Sequence, residues 1–379
     1  MTVHAHCGNY VFPEQHTSLS HFNIHKSERA ATLKRMTGRL PSCGHPGFPG
    51  KMDHLQLQPG DIGTFDHDAI PRLLLPSPAT LFEARAARLR QLAAGDVPGI
   101  PVDDTLRGYL TLMAYVADAQ HAVVARLGPT GVPLPGHDAL QLAHAHNMPP
   151  LPATGDRPAA WLRVFARLLD ALDAVADPPP SLPTALVTLR ASPADWLENV
   201  AAAILGNCAD GADPLRAPFV AAALQVTWSL MAAQLDAAWA QPLVTGTLCP
   251  VCGSHPVASI ARGDGRYLHC ATCESEWHMP RVQCSCCEAD GRTAYRGLVS
   301  RQAAADDGTP PQADDAAKVA RAETCDDCHA YRKIFSQEHD PRVEPVADDL
   351  ASMLLDVLVS EAGYVRASGN PLLWLKDQA

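Results

Sequence analysis

The chain has 379 residues, with 30 Lys and Arg against 41 Asp and Glu, so its net charge is −11. This acidic balance disfavours nucleic acid and anionic membrane surfaces as partners, because both carry negative charge themselves. The length exceeds what one hydrophobic core usually supports, and we expect at least two domains with tails. Apolar residues make up 47% of the chain, but they never form the run of roughly 18 uncharged residues that a membrane span requires. We therefore expect no membrane insertion.

The first 68 residues are rich in His, Pro and Gly and show no sustained hydrophobic period. We predict that residues 1–68 are a disordered N-terminal extension. The segment also lacks a basic start followed by an apolar stretch, which argues against a secretory signal. These features predict a cytoplasmic protein.

Residues 69–242 have the pattern of an all-α helical domain. Ser77 and Pro78 resemble an N-cap followed by proline at the first helical position, and Gly95 closes that helix. A second helix is predicted from about Asp104 to Gly128, because its apolar residues recur three or four positions apart. Later segments rich in Ala and Leu, separated by Pro or Gly, predict helices at roughly 157–176, 182–190, 193–206 and 213–240.

Several aromatic and titratable side chains lie on these predicted helices. An aromatic binding face is one interpretation, but large aromatics supply much of the buried area of such domains, so we favour core packing. The same reasoning makes the isolated His121 and Cys208 structural rather than catalytic. The aromatic residues concerned are Trp161, Phe165, Trp196, Trp228 and Trp239.

Cysteine dominates the region from 243 to 342. Nine of the 12 cysteines fall in this region, and eight of them form four Cys-x-x-Cys turns. Both thiolates of such a turn can reach one metal ion at about 2.3 Å, and two turns complete a tetrahedral site. In a reducing compartment this pattern indicates metal binding rather than disulfides. We number the turns first to fourth: Cys249/Cys252, Cys270/Cys273, Cys284/Cys287 and Cys325/Cys328.

The order in which the turns combine follows from their separations. The first and second turns are 17 residues apart, inside the window of roughly 15 to 20 typical of a ribbon-like site. The third and fourth are 37 residues apart, but a polar loop rich in Ala, Asp and Pro accounts for most of the excess. We favour sequential pairing in two modules at about 245–280 and 281–342. Interleaved pairing, first with third and second with fourth, is the alternative.

Three residues near the turns depart from the expected pattern. Cys286 lies between Cys284 and Cys287, and we interpret it as a spare thiol because only Cys287 reproduces the two-residue gap. Glu288 and His329 occupy the position after the second cysteine, where glycine is favoured. Those turns are expected to be more strained, or their sites to be weaker.

The chemistry of four thiolates limits the roles of these sites. A structural role in folding is expected, since this region is poor in apolar residues. Tetrahedral thiolate suits zinc or iron, so a redox role with rubredoxin-type iron remains an alternative. A catalytic zinc is disfavoured because no coordination position is left open. Three nearby histidines exceed the ligand count and are interpreted as surface or supporting groups: His255, His269 and His278.

Two stretches of this region carry a specific resemblance. CPVCGSHPVASIARGDGRYLHCATCESEWHMPRVQCSCC and ETCDDCHAYRKIFSQEHDPRVEPVADDLASMLLDVLVSEAGYVRASGNPLL closely resemble the formate dehydrogenase accessory protein family, FdhE. A weaker likeness extends to AIPRLLLPSPATLFEARAARLRQLAAG, so that about 69–375 is covered. Within the chain, the four cysteine turns together with PVADDLA and EAGY make the resemblance specific.

The resemblance implies a fold of one α-helical domain joined to two rubredoxin-like modules. It implies a cytoplasmic assembly factor, not an enzyme, that binds the catalytic subunit of a respiratory formate dehydrogenase during maturation. Two metal ions, iron or zinc, are implied as cofactors. Cys286, Glu288 and the lengthened acidic loop depart from the family pattern and leave the second site less defined. By position, the implied metal ligands are Cys249, Cys252, Cys270, Cys273, Cys284, Cys287, Cys325 and Cys328.

Residues 343–379 are predicted to be a C-terminal helix and tail. Asp348 and Asp349 lie near the expected helix N-terminus, where acidic side chains offset the dipole, and apolar residues then repeat helically. We favour a helix that docks on the body over a partner-contact patch formed by the two acids. We expect the client protein to bind the surface around the two modules and this helix.

Overall fold

The computed structural model describes residues 22–27, 70–207, 213–240, 243, 245–263, 265–300 and 316–373. Of the extension predicted to be disordered, it describes Phe22–Ser27, which form strand β1, and the rest of 1–68 lies outside the described residues. Cys208 and most of the acidic loop also lie outside them. Within the described residues, no helix is both long enough and apolar enough to cross a bilayer.

The helical region follows the predicted order, with one addition. The first helix starts after Ser77, and Gly95 ends it in the left-handed conformation, with φ 80° and its N–H bonded back to the helix. The addition is the nine-residue α3, which sequence reasoning missed because Leu140 is its only buried residue. The helices are α1 Pro78–Ala94, α2 Asp104–Leu127, α3 His137–Ala145, α4 Ala160–Asp173, α5 Leu182–Arg190, α6 Ala194–Leu205 and α7 Ala217–Ala232, with a 3-10 helix at Ala237–Trp239.

Helix α7 forms the centre of the helical region. Every one of its 16 residues is buried, as expected for a helix that is apolar on all sides. Trp161 and Trp228 are also fully buried, and Phe165 is nearly so, while Trp196 and Trp239 are partly buried against the same core. These aromatic residues therefore pack in or against the core, and they do not form an exposed binding face.

The strands among the described residues form one sheet. Its order is β1-β6-β7-β8-β3-β4-β5-β2, and β9 pairs with β8 outside this path. The strands are β1 Phe22–Ser27, β2 Leu73–Leu74, β3 Ala258–Arg262, β4 Gly265–His269, β5 Glu276–His278, β6 Thr293–Ser300, β7 Ala320–Cys325, β8 Ala330–Ser336 and β9 Val365–Arg366, with a short helix α8 Ala316–Val319 before β7.

This sheet runs across the predicted domain boundaries. Strand β3 precedes the second cysteine turn and pairs in parallel with β8, which follows the fourth turn. Strand β2, from the start of the helical region, pairs with β5. The boundaries at 68, 242, 280 and 342 stay predictions, but the two cysteine regions share one hydrogen-bonded framework.

The C-terminal segment forms two helices, α9 Pro345–Ala351 and α10 Met353–Glu361. They are separated at Ser352, whose hydroxyl donates to the carbonyl oxygen of Asp348 at 2.7 Å and so competes with helix continuation. Asp348 and Asp349 are 0% exposed. They dock the helix on the body, and they are too deeply buried to form a contact surface.

Candidate metal centres

The first and second cysteine turns meet in one group, which we call the first cluster. One sulfur from each residue lies within 4.8 Å of the other three. The Sγ–Sγ distance is 3.5 Å between Cys249 and Cys273 and 3.4 Å between Cys252 and Cys270. A tetrahedral ion with 2.3 Å bonds needs sulfurs about 3.8 Å apart. The first cluster can therefore hold one metal ion after a small expansion.

The first cluster is closed to solvent. The cysteines at 249, 270 and 273 are 0% exposed, and Cys252 is 2% exposed. Backbone N–H groups of the segment before α4 donate to the first turn, from Leu151 to Val251 at 3.0 Å and from Ala153 to Cys252 at 2.9 Å. The helical region thus covers this cluster directly, and four thiolates leave no open position for a substrate.

The thiols of the first cluster have shifted pKa values. Burial raises the pKa of Cys249 and of Cys273. Burial also acts against the Cys270 thiolate, but hydrogen bonds from the other three thiols outweigh it and lower the pKa of Cys270. Metal binding requires the thiolate form, so it would release the protons that these thiols hold.

The third and fourth turns meet in the second cluster, with all four sulfurs again within 4.8 Å of one another. The Sγ–Sγ distances are 3.9 Å between Cys284 and Cys328 and 3.8 Å between Cys287 and Cys325. These separations match a tetrahedral thiolate site. Cys287 and Cys328 are exposed, whereas Cys284 and Cys325 are buried. The two clusters follow the predicted sequential pairing, and the interleaved alternative does not occur among these cysteines.

The residue after each second cysteine adopts the left-handed conformation. Only the first of these residues is glycine, which adopts such a φ without steric cost. The other three carry side chains there, which is the strain that was expected from sequence at Glu288 and His329. The φ values are 77° at Gly253, 63° at Glu274, 60° at Glu288 and 53° at His329.

A repeated hydrogen-bond pattern builds three of the turns. The N–H of the residue four positions after the leading cysteine donates to that cysteine's carbonyl oxygen, and the cysteine N–H donates to the carbonyl of the fifth residue. This closure aims both sulfurs of a turn at one point. The bonds of the first kind run from Gly253 to Cys249 and from Glu274 to Cys270, both 2.8 Å, and from Glu288 to Cys284, 3.1 Å. The bonds of the second kind run from Cys249 to Ser254 and from Cys270 to Ser275, both 3.0 Å, and from Cys284 to Ala289, 2.9 Å.

Cys286 does not belong to the four-sulfur group of the second cluster. Its backbone N–H donates to the sulfur of Cys284 at 3.3 Å, and its own sulfur lies 3.9 Å from Nη2 of Arg332. The hydrogen bond that the Cys284 thiol donates to Cys286 and burial together raise the pKa of Cys284 to about 12. Cys286 thus supports the turn from outside the ligand set.

Comparison with known proteins decides the family. Three family profiles match in succession: FdhE, N-terminal over residues 70–245; FdhE, central domain over 248–281; and FdhE, C-terminal domain over 282–373. The chain belongs to the FdhE family. The resemblance found in the sequence is therefore confirmed.

Individual relatives agree with this assignment. Protein FdhE of Escherichia coli K12 and Protein FdhE of Shigella boydii serotype 18 are each 38% identical over 315 residues, covering 81% of this chain and 92% of the relative. The crystal structure of the FdhE protein from Pseudomonas aeruginosa is 36% identical, with a TM-score of 0.67, and covers 80% of this chain and 99% of that chain. The predicted fold class is also confirmed: a helical region precedes two tetracysteine clusters and a C-terminal helix.

A third group of metal-binding residue types lies beside the first cluster of this FdhE family member. It consists of His269, Glu274 and Glu344. Arg85 of α1 occupies its centre, bonded to Glu274 at 2.7 Å and to Glu344 at 2.8 Å. The guanidinium supplies the positive charge that these carboxylates need, so the group is an ion-pair network rather than a third metal centre.

This network ties the second cysteine turn to the helical region. Glu274 directly follows Cys273 and also accepts from Nε2 of His269 at 2.9 Å. Burial lowers the pKa of His269, but its bonds to Glu274 and Glu276 outweigh burial and raise the pKa to about 10. His269 is thus a supporting group, as the sequence suggested.

The other two histidines lie at or near the surface. His255 is exposed, three positions after Cys252. His278 is partly buried on β5, where its ring packs edge-on against Tyr267. Neither of them joins a group of metal-binding residues among the described residues.

Sequence reasoning missed the role of Arg85 and its neighbour Arg88. Both are buried on the apolar face of α1, between Phe82 and Leu89. Arg88 binds Asp348 at 2.6 Å. The available signal was an arginine at an apolar position of the helical repeat, because such a residue must find a buried partner.

Proposed function

We propose that this FdhE family member is a metal-binding assembly factor that binds the catalytic subunit of a respiratory formate dehydrogenase in the cytoplasm and is not itself an enzyme. The observation that carries the proposal is family membership over residues 70–373 together with two four-sulfur clusters. Sites with four thiolates suit a structural or electron-transfer role, since they lack a position for substrate.

The proposed metal ligands are the eight cysteines of the two clusters. Zinc and iron both fit four thiolates at these separations. In the first cluster the ion would hold the cysteine turns under the helical region. In the second it would hold the end of the β7–β8 hairpin against the third turn.

The proposed binding surface for the catalytic subunit lies around the second cluster. Its outer sulfurs, on Cys287 and Cys328, are exposed. Two apolar side chains near these turns are exposed. Val282, which is 65% exposed, lies two positions before Cys284. Val365, which is 40% exposed, donates its N–H to the carbonyl of His329, next to Cys328, at 2.8 Å. Contiguous exposed apolar patches mark protein-binding surfaces, and we infer that these two side chains contribute to one. We infer that the catalytic subunit binds here rather than at the buried first cluster.

Deletion of the gene in its host tests the role. We expect formate-dependent dye reduction to fall at least about tenfold while the catalytic subunit is still synthesised, because the factor acts after translation. Complementation with the wild-type chain should restore dye reduction. Undiminished dye reduction in the deletion strain would refute the proposed role.

The binding surface is tested by co-purification of the catalytic subunit with paired variants. Val282→Asp with Val365→Asp should abolish co-purification, whereas Val187→Asp, at an apolar residue 71% exposed on α5, should leave it intact. All variants should retain the wild-type circular dichroism spectrum. Full recovery of the subunit by the folded Val282/Val365 variant would place the surface elsewhere.

A rubredoxin-like electron carrier is the alternative, and the exposure of two sulfurs in the second cluster is the observation that favours it. Protein purified without air would then be red and would bleach reversibly with dithionite. A colourless, zinc-containing protein that fully restores dye reduction would exclude this alternative and leave the assembly role.

A further inference from the structure

Arg332 is a buried arginine without a carboxylate of its own. It lies on β8, is 3% exposed, and has no acidic group within ion-pair distance among the described residues. Its guanidinium instead donates to the hydroxyl oxygen of Ser285 at 3.1 Å, to that of Ser368 at 2.6 Å and to the carbonyl of Pro256. A buried cation held only by neutral oxygens needs a negative charge nearby.

The guanidinium faces the third cysteine turn. Ser285 and Cys286 are the two residues between Cys284 and Cys287, and Arg332 contacts both, with Nη2 3.9 Å from the sulfur of Cys286. At the corresponding position of the second turn, the backbone carbonyl of Ala271 is held at 3.0 Å by the neutral amide of Gln225. The third turn thus has a cationic support where the second has a neutral one.

Among the buried charges beside the third cysteine turn, one positive charge is not compensated. Arg266 binds Glu323 at 2.6 Å and also donates to the carbonyl of Gln283 at 2.9 Å, next to Cys284. Glu323 also lies opposite Arg332 in the β7–β8 ladder; burial raises its pKa, while the guanidinium groups of Arg266 and Arg332 act in the opposite direction. Two guanidinium groups therefore share one carboxylate beneath this turn.

The acids of the fourth turn do not supply the missing charge. Asp327 is paired with Arg292 at 3.3 Å, and Asp326 accepts from the hydroxyl of Tyr364 at 2.6 Å. Both are exposed on the outer side of the second cluster. Four thiolates around a divalent ion carry a net charge of about −2, which is the charge that the buried arginine lacks.

We propose that Arg332 is the charge partner of the second metal centre, acting through Ser285 and Cys286 to strengthen metal binding there. This inference rests on the proposed metal ligands. Arg332 is a positioning residue: it orients the turn and stabilises the anionic site without touching the metal. Groups of this outer kind typically change metal affinity by roughly 10–100-fold when they are removed.

The test is an anaerobic Co²⁺ titration of the metal-free full-length protein, followed by thiolate-to-cobalt absorption. Wild-type protein should bind two ions, and Cys287→Ser should abolish the contribution of the second cluster and so assign it. Arg332→Met should weaken binding at the second cluster by about 10–100-fold and leave the first unchanged. Arg332→Lys should recover part of the loss, because it keeps the charge but not the forked geometry.

Two further variants separate charge from structure. Arg262→Met removes a partly buried guanidinium of the same sheet, one that is bonded to Gln337 and Glu276 and to no residue of the second cluster among the described residues, and it should leave the affinity of the second cluster unchanged. Glu323→Gln removes the shared carboxylate and should tighten the second site. This opposite sign is not expected from a structural defect, and the variant keeps the test decisive if Arg332→Met does not fold.

The outcomes are distinguishable. Unchanged affinity in folded Arg332→Met, equal weakening of both sites, or weaker second-site binding in Glu323→Gln would each overturn the inference while leaving the metal centres in place. If wild-type protein bound fewer than two Co²⁺ ions, the assignment of two metal centres would itself fail, and the role of Arg332 with it.

Discussion

The two tetracysteine clusters have the same residue spacing within each turn but opposite surroundings. In the first cluster every cysteine is at most 2% exposed. In the second, two of the four cysteines are exposed. The first lies between the helical region and the sheet, whereas the second lies at the end of the β7–β8 hairpin.

This contrast shows that the Cys-x-x-Cys spacing determines the geometry of a site but not its accessibility. Accessibility comes from tertiary neighbours, such as the backbone bonds that Leu151 and Ala153 donate to the first turn. A metal ion in the first cluster is therefore expected to stabilise the whole chain. A metal ion in the second is expected to stabilise a local surface that a partner can reach.

The largest expected effect comes from removing one ligand of each turn within a cluster. Cys249→Ser with Cys270→Ser should prevent accumulation of folded protein, since metal binding to structural tetrahedral sites contributes about 10–16 kcal/mol in small domains. Cys287→Ser with Cys328→Ser should leave the helical region folded. Soluble yield and thermal melting followed by circular dichroism measure the difference.

Cys286→Ser is the matched control, because it removes a thiol from the same turn without removing a ligand. It should melt like the wild-type protein and bind two metal ions. Equal loss of folded protein in both double variants would show that the two clusters contribute equally to the stability of the chain, and would contradict the expected difference between them.

An intermediate effect is expected from Arg85, which joins the first cluster to α1. Arg85→Met leaves Glu274 and Glu344 buried without their cation, and breaking such a buried pair costs about 3–5 kcal/mol. The control is Arg90→Met on the same helix, whose partner Asp118 is 41% exposed. An exposed pair contributes about 0–1 kcal/mol. Urea unfolding of the metal-loaded proteins measures both.

A loss below about 1 kcal/mol for Arg85→Met would contradict this account of the interface. It would mean that apolar packing alone joins the cluster to the helices. The second cluster should keep its metal affinity in either variant, because neither arginine contacts its turns.

The parts of the fold that were predicted from sequence depend on neighbouring residues in the chain. Ser77, Pro78 and Gly95 predicted the ends of α1, and cysteine spacing predicted the sulfurs that lie together. Glycine preference after the second cysteine also predicted strained backbone at Glu288 and His329. Each of these features involves a few residues whose conformation is set locally.

The parts that were not predicted depend on contacts between distant residues. Arg85 is separated from Glu274 by 189 positions, and the parallel pairing of β3 with β8 joins segments more than 70 residues apart. Nothing in either segment alone specifies such a partner. The difference in exposure between the clusters belongs to the same class, because it depends on which elements cover each turn.

The smallest expected effects come from single residues in the left-handed conformation at the cysteine turns. Gly253→Ala should destabilise the protein by about 1–2 kcal/mol, the cost of a side chain in this conformation. Its φ is +77°, and an added Cβ would also lie 3.2 Å from Cγ of Pro149. His329→Gly should stabilise the exposed fourth turn by at most about 0.5–1 kcal/mol, because the strain it removes is offset by chain entropy and by the lost contact with Tyr364.

Gly108→Ala supplies the reference, since this glycine lies within α2 and an added Cβ would meet nothing within 4 Å. It should stabilise the protein by about 0.5–1 kcal/mol through helix propensity alone. Urea unfolding with metal in excess ranks the three variants. If Gly253→Ala matched Gly108→Ala, the first turn would tolerate a side chain as the other three do, and its glycine would not reflect the tight packing of Pro149 over the buried cluster. If Gly253→Ala lost stability as expected, the left-handed conformation of the turn and the contact with Pro149 would together account for the need for glycine there.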